Sequence, residues 1–150
     1  MFQLNSTDFS FRVRSSGQRK LIYDIIRRKY VTLTPEEWVR QHVIHFLIQA
    51  LGYPAGVLAV ERELELNGLR KRTDLVVYNR SGHAVLLVEC KAPEVKLGQA
   101  VADQAARYNM QLQVNYLWLT NGTQHYICRL DAEAKRWEVL QQLPPYEALN

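Results

Sequence analysis

His83-Ala84-Val85-Leu86-Leu87-Val88-Glu89-Cys90-Lys91 is the stretch on which the fold turns. An apolar run of this length fits a strand buried on both faces of a sheet, yet it ends abruptly in a carboxylate and an ammonium group. Pro93 follows and breaks the pairing. Side chains alternate along a strand, so Glu89 and Lys91 share a face with Val85 and Leu87 while Cys90 points the other way. Burying an acid and a base in a sheet costs several kcal/mol unless they pair with each other or hold a metal.

Upstream, Asn79-Arg80-Ser81-Gly82 is a turn, preceded by an expected strand over Lys71 to Tyr78, a hairpin turn at Asn67-Gly68 and a further strand over Val57 to Leu66. The three strands form an antiparallel meander. Asp74 falls within the middle strand, on the face of Arg72 and Val76, where an acid is unfavourable by propensity. It is thus a second acid inside the sheet that carries Glu89.

The meander follows the clearest helix start in the chain. Thr34 is the N-cap, Pro35 the first helical residue and Glu37 the third, and Gly52 and Pro54 stop the helix after about Leu51. Val39, Val43, Ile44, Phe46, Leu47 and Ile48 lie on its apolar arc, with Trp38, His42, His45 and Gln49 opposite. His42 and His45 are expected on a solvated face, since a metal needs further ligands and none is near in sequence. Glu37 is accounted for equally by the capping box and by a place in an acidic site, and Arg40 equally by an i, i+4 pair with Glu36.

Downstream, a second helix is expected from near Gly98 to about Leu112, with Val101, Ala105, Tyr108 and Leu112 facing the core. Strands over Val114 to Thr120, Thr123 to Leu130 and Arg136 to Gln141 follow. The expected class is α/β with a mixed central sheet, in the order helix, antiparallel three-strand meander, helix, strand. Residues 1–150 read as one domain: a basic N-terminal extension over 1–33 that is loose to Gln18, with short strands at Lys20 to Tyr23 and Lys29 to Val31, a core over 34–120, and C-terminal strands over 121–150.

The chain has 150 residues, 47% hydrophobic and 23% charged, an ordinary balance for a soluble protein. It shows no signal-peptide pattern and no run of eighteen apolar residues, so a cytoplasmic protein without membrane contact is expected. Cys90 and Cys128 lack metal or redox spacing and are expected to be reduced core thiols. The net charge is +4, concentrated at the N-terminus, where Arg12, Arg14, Arg19, Lys20, Arg27, Arg28 and Lys29 face only Asp8 and Asp24. A smaller basic cluster is Arg70-Lys71-Arg72. Such clusters suit a phosphate backbone, although positive charge also serves solubility.

Asp74 and Glu89 on neighbouring strands can converge on one hard divalent cation, Mg²⁺ or Mn²⁺, with Glu37 completing the acidic cluster. Such an ion activates water and screens a phosphodiester. Lys91 can orient the attacking water or stabilise charge on phosphorus.

Thr73-Asp74, a fourteen-residue gap and Glu89-Cys90-Lys91 together resemble the signature of PD-(D/E)xK nucleases, with Thr73 in place of the signature proline. The Pro35 to Gln41 helix and the Asp74 segment are similar to the N-terminal nuclease domain of the restriction subunit of type I restriction enzymes. Gln104-x-x-x-Tyr108 is similar to a motif of RecB-like members that lies near the active site and contacts DNA. The resemblance covers Thr34 to Thr120. It implies a restriction-endonuclease-like core and a Mg²⁺-dependent deoxyribonuclease with Asp74, Glu89, Lys91 and Glu37 catalytic. Asp74, Glu89 and Glu37 would hold the metal, and Gln104, Tyr108, Arg40 and Arg72 would contact DNA. These residues contain no Gly-x-x-x-x-Gly-Lys loop, so a motor or specificity function would come from another subunit, and double-strand cleavage from a homodimer or two events. Two other readings stand beside it: a catalytically inactive nucleic-acid-binding or partner-docking module that keeps the fold, and a buried Glu89–Lys91 salt bridge in an unrelated α/β domain.

Overall fold

The computed structural model describes Leu4, residues 9–131 and residues 133–150. The segment expected to be loose, Met1 to Gln18, lies partly outside these residues. Within them Val13–Ser16 is a strand, β1, pairing with β2 (Arg19–Asp24), which pairs with β3 (Lys29–Thr32) in a three-stranded antiparallel sheet. The described part of the basic extension thus carries three strands, and its Phe11 and Arg27 lie against the first helix.

That helix, α1 (Pro35–His45), begins as its capping residues dictate, the Glu37 N–H donating to Thr34 Oγ1 at 3.0 Å, and continues as a π-helical turn over Phe46–Ala50. Next come β4 (Leu58–Val60), β5 (Glu63–Leu66), β6 (Leu69–Arg72), β7 (Leu75–Tyr78) and β8 (Ala84–Cys90). The chain ends with α2 (Gln99–Leu112), β9 (Tyr116–Thr120), β10 (His125–Asp131) and β11 (Arg136–Leu140).

The central sheet has six strands in the order β11-β10-β9-β8-β7-β4, antiparallel except for the parallel pair β8 and β9. A parallel pair requires a crossover, and α2 supplies it. Strand alternation divides the core in two. Leu75, Val77, Leu86, Val88 and Trp118 pack with α1, whereas Val76, Leu87 and Leu117 pack with α2. Val85 departs from the expected alternation and joins the α1 side, because the β7–β8 register slips between Val77 and Tyr78. Cys90 and Cys128 are buried free thiols, as expected; burial raises both, Cys128 to about 12.

Each of the first two meander strands is broken. Glu61 adopts φ 51°, which separates β4 from β5, and Thr73-Asp74 separates β6 from β7. Pairing survives the break through Glu61 N–H to the Asp74 carbonyl at 3.0 Å and Thr73 N–H to the Arg62 carbonyl at 2.9 Å. Asp74 therefore sits at a bend, not in a strand interior, and its propensity penalty disappears. The Asn67-Gly68 turn forms as expected, with φ 53° and 75°.

Two further expectations are corrected. On α2 the buried residues are Ala102, Ala106, Asn109 and Leu112, while Val101 is 42% exposed. On α1, His42 and His45 are buried at 1% and 3% exposure rather than solvated. Phe11 packs on both imidazoles, with ring centroids 4.7 Å and 4.6 Å away, and Phe9 closes the same side. The Nδ1 of His42 donates to the Trp38 carbonyl and that of His45 to the Gln41 carbonyl.

Burial lowers both imidazoles below their usual 6.5. Between the lowered values and about 6.5 the unfolded chain binds protons that the folded chain does not, so this stability is complete above about 6.5 and falls as pH drops through that window. Urea midpoints will therefore fall between neutral and mildly acidic buffer, and a His42→Gln/His45→Gln variant will show a flatter profile. Among the described residues no helix is long and apolar enough to cross a membrane.

Candidate functional site

The end of β8 meets α2 in a shallow cavity of about 240 Å³ lined by Lys71, Glu89, Lys91, Gln104 and Tyr108. Glu89 follows Leu87 onto this side, and Gln104 and Tyr108 reach it as i, i+4 neighbours on the helix. The two motifs separated in sequence, Glu-x-Lys and Gln-x-x-x-Tyr, thus share one cleft. Lys71 on β6 completes it, with Nζ 2.7 Å from Glu89 Oε1 and 5.1 Å from the centre of the Tyr108 ring. The Tyr108 hydroxyl donates to the Arg70 carbonyl at 3.1 Å, tying the helix to the β5–β6 hairpin.

Glu89 is therefore paired with Lys71, not with Lys91, which overturns the reading of Glu89 and Lys91 as a self-contained salt bridge. The pair keeps 25% and 19% side-chain exposure, so its own contribution is modest, about 1 kcal/mol or less.

Asp74 is not among the residues that line this cavity. The paired register of β7 and β8 ends at Leu75 and Val88, so Asp74 and Glu89 are the next residues on the two chains. The Asp74 carboxylate accepts from the Cys90 N–H at 2.7 Å and from Arg40 Nη2 at 3.1 Å. Its side chain is 24% exposed.

Behind Asp74 runs a buried ion network. Arg40 Nη1 donates to Glu37 Oε1 at 2.8 Å, Arg27 Nη2 reaches the same oxygen at 2.8 Å, and Arg27 Nε pairs with Asp24 at 2.7 Å. Gln41 Nε2 bridges Asp24 at 2.9 Å and Glu37 at 3.1 Å. Residues 37, 40 and 41 share one face of α1, which positions the group, while the last residue of β2 supplies Asp24 and the β2–β3 turn supplies Arg27. Burial pushes the Asp24 carboxyl up, but hydrogen bonds from Arg27 and Gln41 outweigh it and the net is below the ordinary value. Burial likewise pushes both guanidiniums down, and their carboxylates more than restore them, Glu37 foremost.

This packing bears on two expected roles. Arg40 is 6% exposed with its guanidinium on internal carboxylates, so it is not placed to contact a nucleic acid. Glu37 is held by two arginines and Gln41, and among the described residues no group of three or more His, Cys, Asp or Glu side chains is arranged to hold a metal. Glu37, Asp74 and Glu89 do not stand as a three-ligand cluster. Arg72 stays at the surface, 73% exposed and 3.8 Å from Glu61, and Gln104 is also exposed.

Lys71, Asp24, Arg27 and Gln41 escaped sequence reasoning. Lys71 was legible only as part of a basic cluster. Asp24 carried a signal in its position on a strand that runs into Ile25-Ile26, where an acid needs a partner.

A family model described as the type I restriction enzyme R protein N terminus matches residues 35–144. Among solved structures, a fragment assigned to an HsdR subunit of a type I restriction enzyme from Vibrio vulnificus YJ016 is similar at 23% identity and a TM-score of 0.40, over 61% of this chain. This chain spans 19% of the length of that solved fragment chain. No curated protein matches.

Proposed function

The chain belongs to the type I restriction enzyme R protein N-terminus family, and from that premise we propose that it is a metal-dependent endonuclease domain, with a restriction-endonuclease-like core, that hydrolyses DNA phosphodiester bonds. The observation that carries the reading is the meeting of Glu89, Lys91, Gln104 and Tyr108 in one cleft, with Asp74 the residue beyond the paired end of β7.

The donors suit a hard divalent cation. Asp74 and Glu89 are partly exposed carboxylates at 24% and 19%, and a carboxylate oxygen that accepts one hydrogen bond keeps a lone pair for another. Mg²⁺ is commonly held by one or two carboxylates, with waters and substrate phosphate filling the rest of its shell, so Glu37 is not required. When bound, such an ion stabilises charge on the phosphodiester and makes water a better nucleophile. Lys91 then neutralises the charge that builds on phosphorus, Lys71 neutralises Glu89 until substrate arrives, and Gln104 and Tyr108 align the strand along α2. Arg72, exposed at the hairpin edge, meets the flanking backbone. One such site cuts one strand, so cutting both needs two copies or two events.

The purified chain should bind Mg²⁺ or Mn²⁺ by calorimetry and nick supercoiled plasmid, with activity abolished by EDTA. Neither binding nor nicking would remove the reading. One observation favours the second reading, a catalytically inactive DNA-binding or docking module: Asp74 and Glu89 are already paired with Arg40 and Lys71. In that case DNA binding survives without metal and survives the loss of both carboxylates.

A further inference from the structure

The family match begins at residue 35, which leaves the sheet of β1, β2 and β3 outside it. The two faces of this sheet differ sharply. Ile22 and Asp24 are fully buried on one of them. Register places the other set of side chains in rows across the strands. Tyr23 faces Tyr30, and the Tyr23 N–H donates to the Arg12 carbonyl, which puts Arg12 in the same row. The next row is Arg14, Leu21 and Thr32, and the last pairs Ser16 with Arg19.

This outward face holds three exposed arginines, and no Asp or Glu of the three strands alternates onto it. The arginines are also held in place. The Arg14 guanidinium lies 3.9 Å from the centre of the Tyr30 ring and that of Arg12 4.7 Å from Tyr23, while the two rings meet edge to face at 5.2 Å. Arg19 is fixed by a hydrogen bond to the Thr32 hydroxyl. A guanidinium stacked on an aromatic ring keeps its N–H edge free and loses less freedom when it grips an anion, and its planar fork matches phosphate oxygens.

We infer that the outer face of this sheet is a second DNA contact, a pre-organised arginine surface that holds the phosphate backbone of a duplex independently of sequence. The inference rests on the reading of the chain as DNA-acting, and it assigns backbone affinity to a surface apart from the Glu89 cleft. Arg27, counted with this basic cluster by sequence, is excluded from it by its internal ion pairs.

The test is binding of the whole chain to a random-sequence duplex in EDTA, followed by fluorescence anisotropy across a salt series, with an Arg12→Gln/Arg14→Gln/Arg19→Gln variant. All three residues are exposed, so the variant should fold, which circular dichroism checks. Affinity should fall at least tenfold, and the slope of log K against log salt should shrink by about 0.9 for each arginine that neutralised a phosphate. An Arg80→Gln/Lys135→Gln/Arg136→Gln variant removes the same charge elsewhere and should bind as the wild type does. Equal losses in both variants, or none in the first, would overturn the inference. Because EDTA removes any metal, the outcome is independent of whether the protein nicks plasmid in Mg²⁺.

Discussion

Replacing Arg40 with methionine will cost the fold about 3–5 kcal/mol, the scale of removing one partner from a buried ion pair. Arg40 is 6% exposed and its two terminal nitrogens face different carboxylates, Nη1 towards Glu37 and Nη2 towards Asp74. Methionine fills the volume but donates nothing. Glu37 is then left to Arg27 and Gln41, and Asp74 keeps only the Cys90 N–H. A domain is typically stable by about 5–15 kcal/mol, so a loss of this size is a large share of the whole. Arg40→Lys should recover only part of it, since one ammonium cannot serve both carboxylates through separate nitrogens. Urea unfolding reads these differences directly. Adding Glu37→Gln to the methionine variant removes a stranded charge, so the double variant should be less destabilised than the two single losses added together. A cost below about 1 kcal/mol for Arg40→Met would show that the network behaves as an exposed one.

The same network marks where sequence reasoning stops. Local chemistry was decisive where it is local: Thr34, Pro35 and Glu37 set the start of α1, Asn67-Gly68 set a hairpin turn, and the apolar run to Val88 set the strand that neighbours both helices. Spacing put Glu89 with Lys91 on one strand face and Gln104 with Tyr108 on one helix face, but it was the family resemblance that placed the two pairs together, and both line one cavity. Contacts that depend on register were not legible. An alternating pattern runs through Glu61 and through Thr73-Asp74 without a break, so it cannot announce the bend that turns Asp74 towards Arg40. Ala102 and Ala106 carry little hydrophobic signal, which shifted the expected stripe of α2 onto Val101. His42 and His45 look polar on a helical wheel because the rings that bury them, Phe9 and Phe11, come from a distant segment. Lys71 could be read as a basic residue, but only the folding of β6 over the end of β8 makes it the partner of Glu89.

Glu89→Gln should lower plasmid nicking by at least about 10²-fold, the scale of losing one charge-stabilising group from an active site, with little change in stability. The side chain keeps its shape, and the pair it loses with Lys71 is partly solvated, worth about 1 kcal/mol or less. Asp74→Asn should lower nicking comparably and cost stability as well. Its amide oxygen can still accept from Cys90, yet it no longer balances Arg40 in a buried setting. The contrast between the two variants is the informative result. If both carboxylates hold the cation, metal affinity measured by calorimetry falls in each, while only Asp74→Asn moves the urea midpoint by more than a small margin. If Asp74 serves the ion network alone, its variant loses stability but retains metal affinity, and Glu89→Gln alone abolishes nicking. Wild-type nicking by Glu89→Gln would exclude the cleft as the place of cleavage, because among the described residues no other carboxylate lines that cavity.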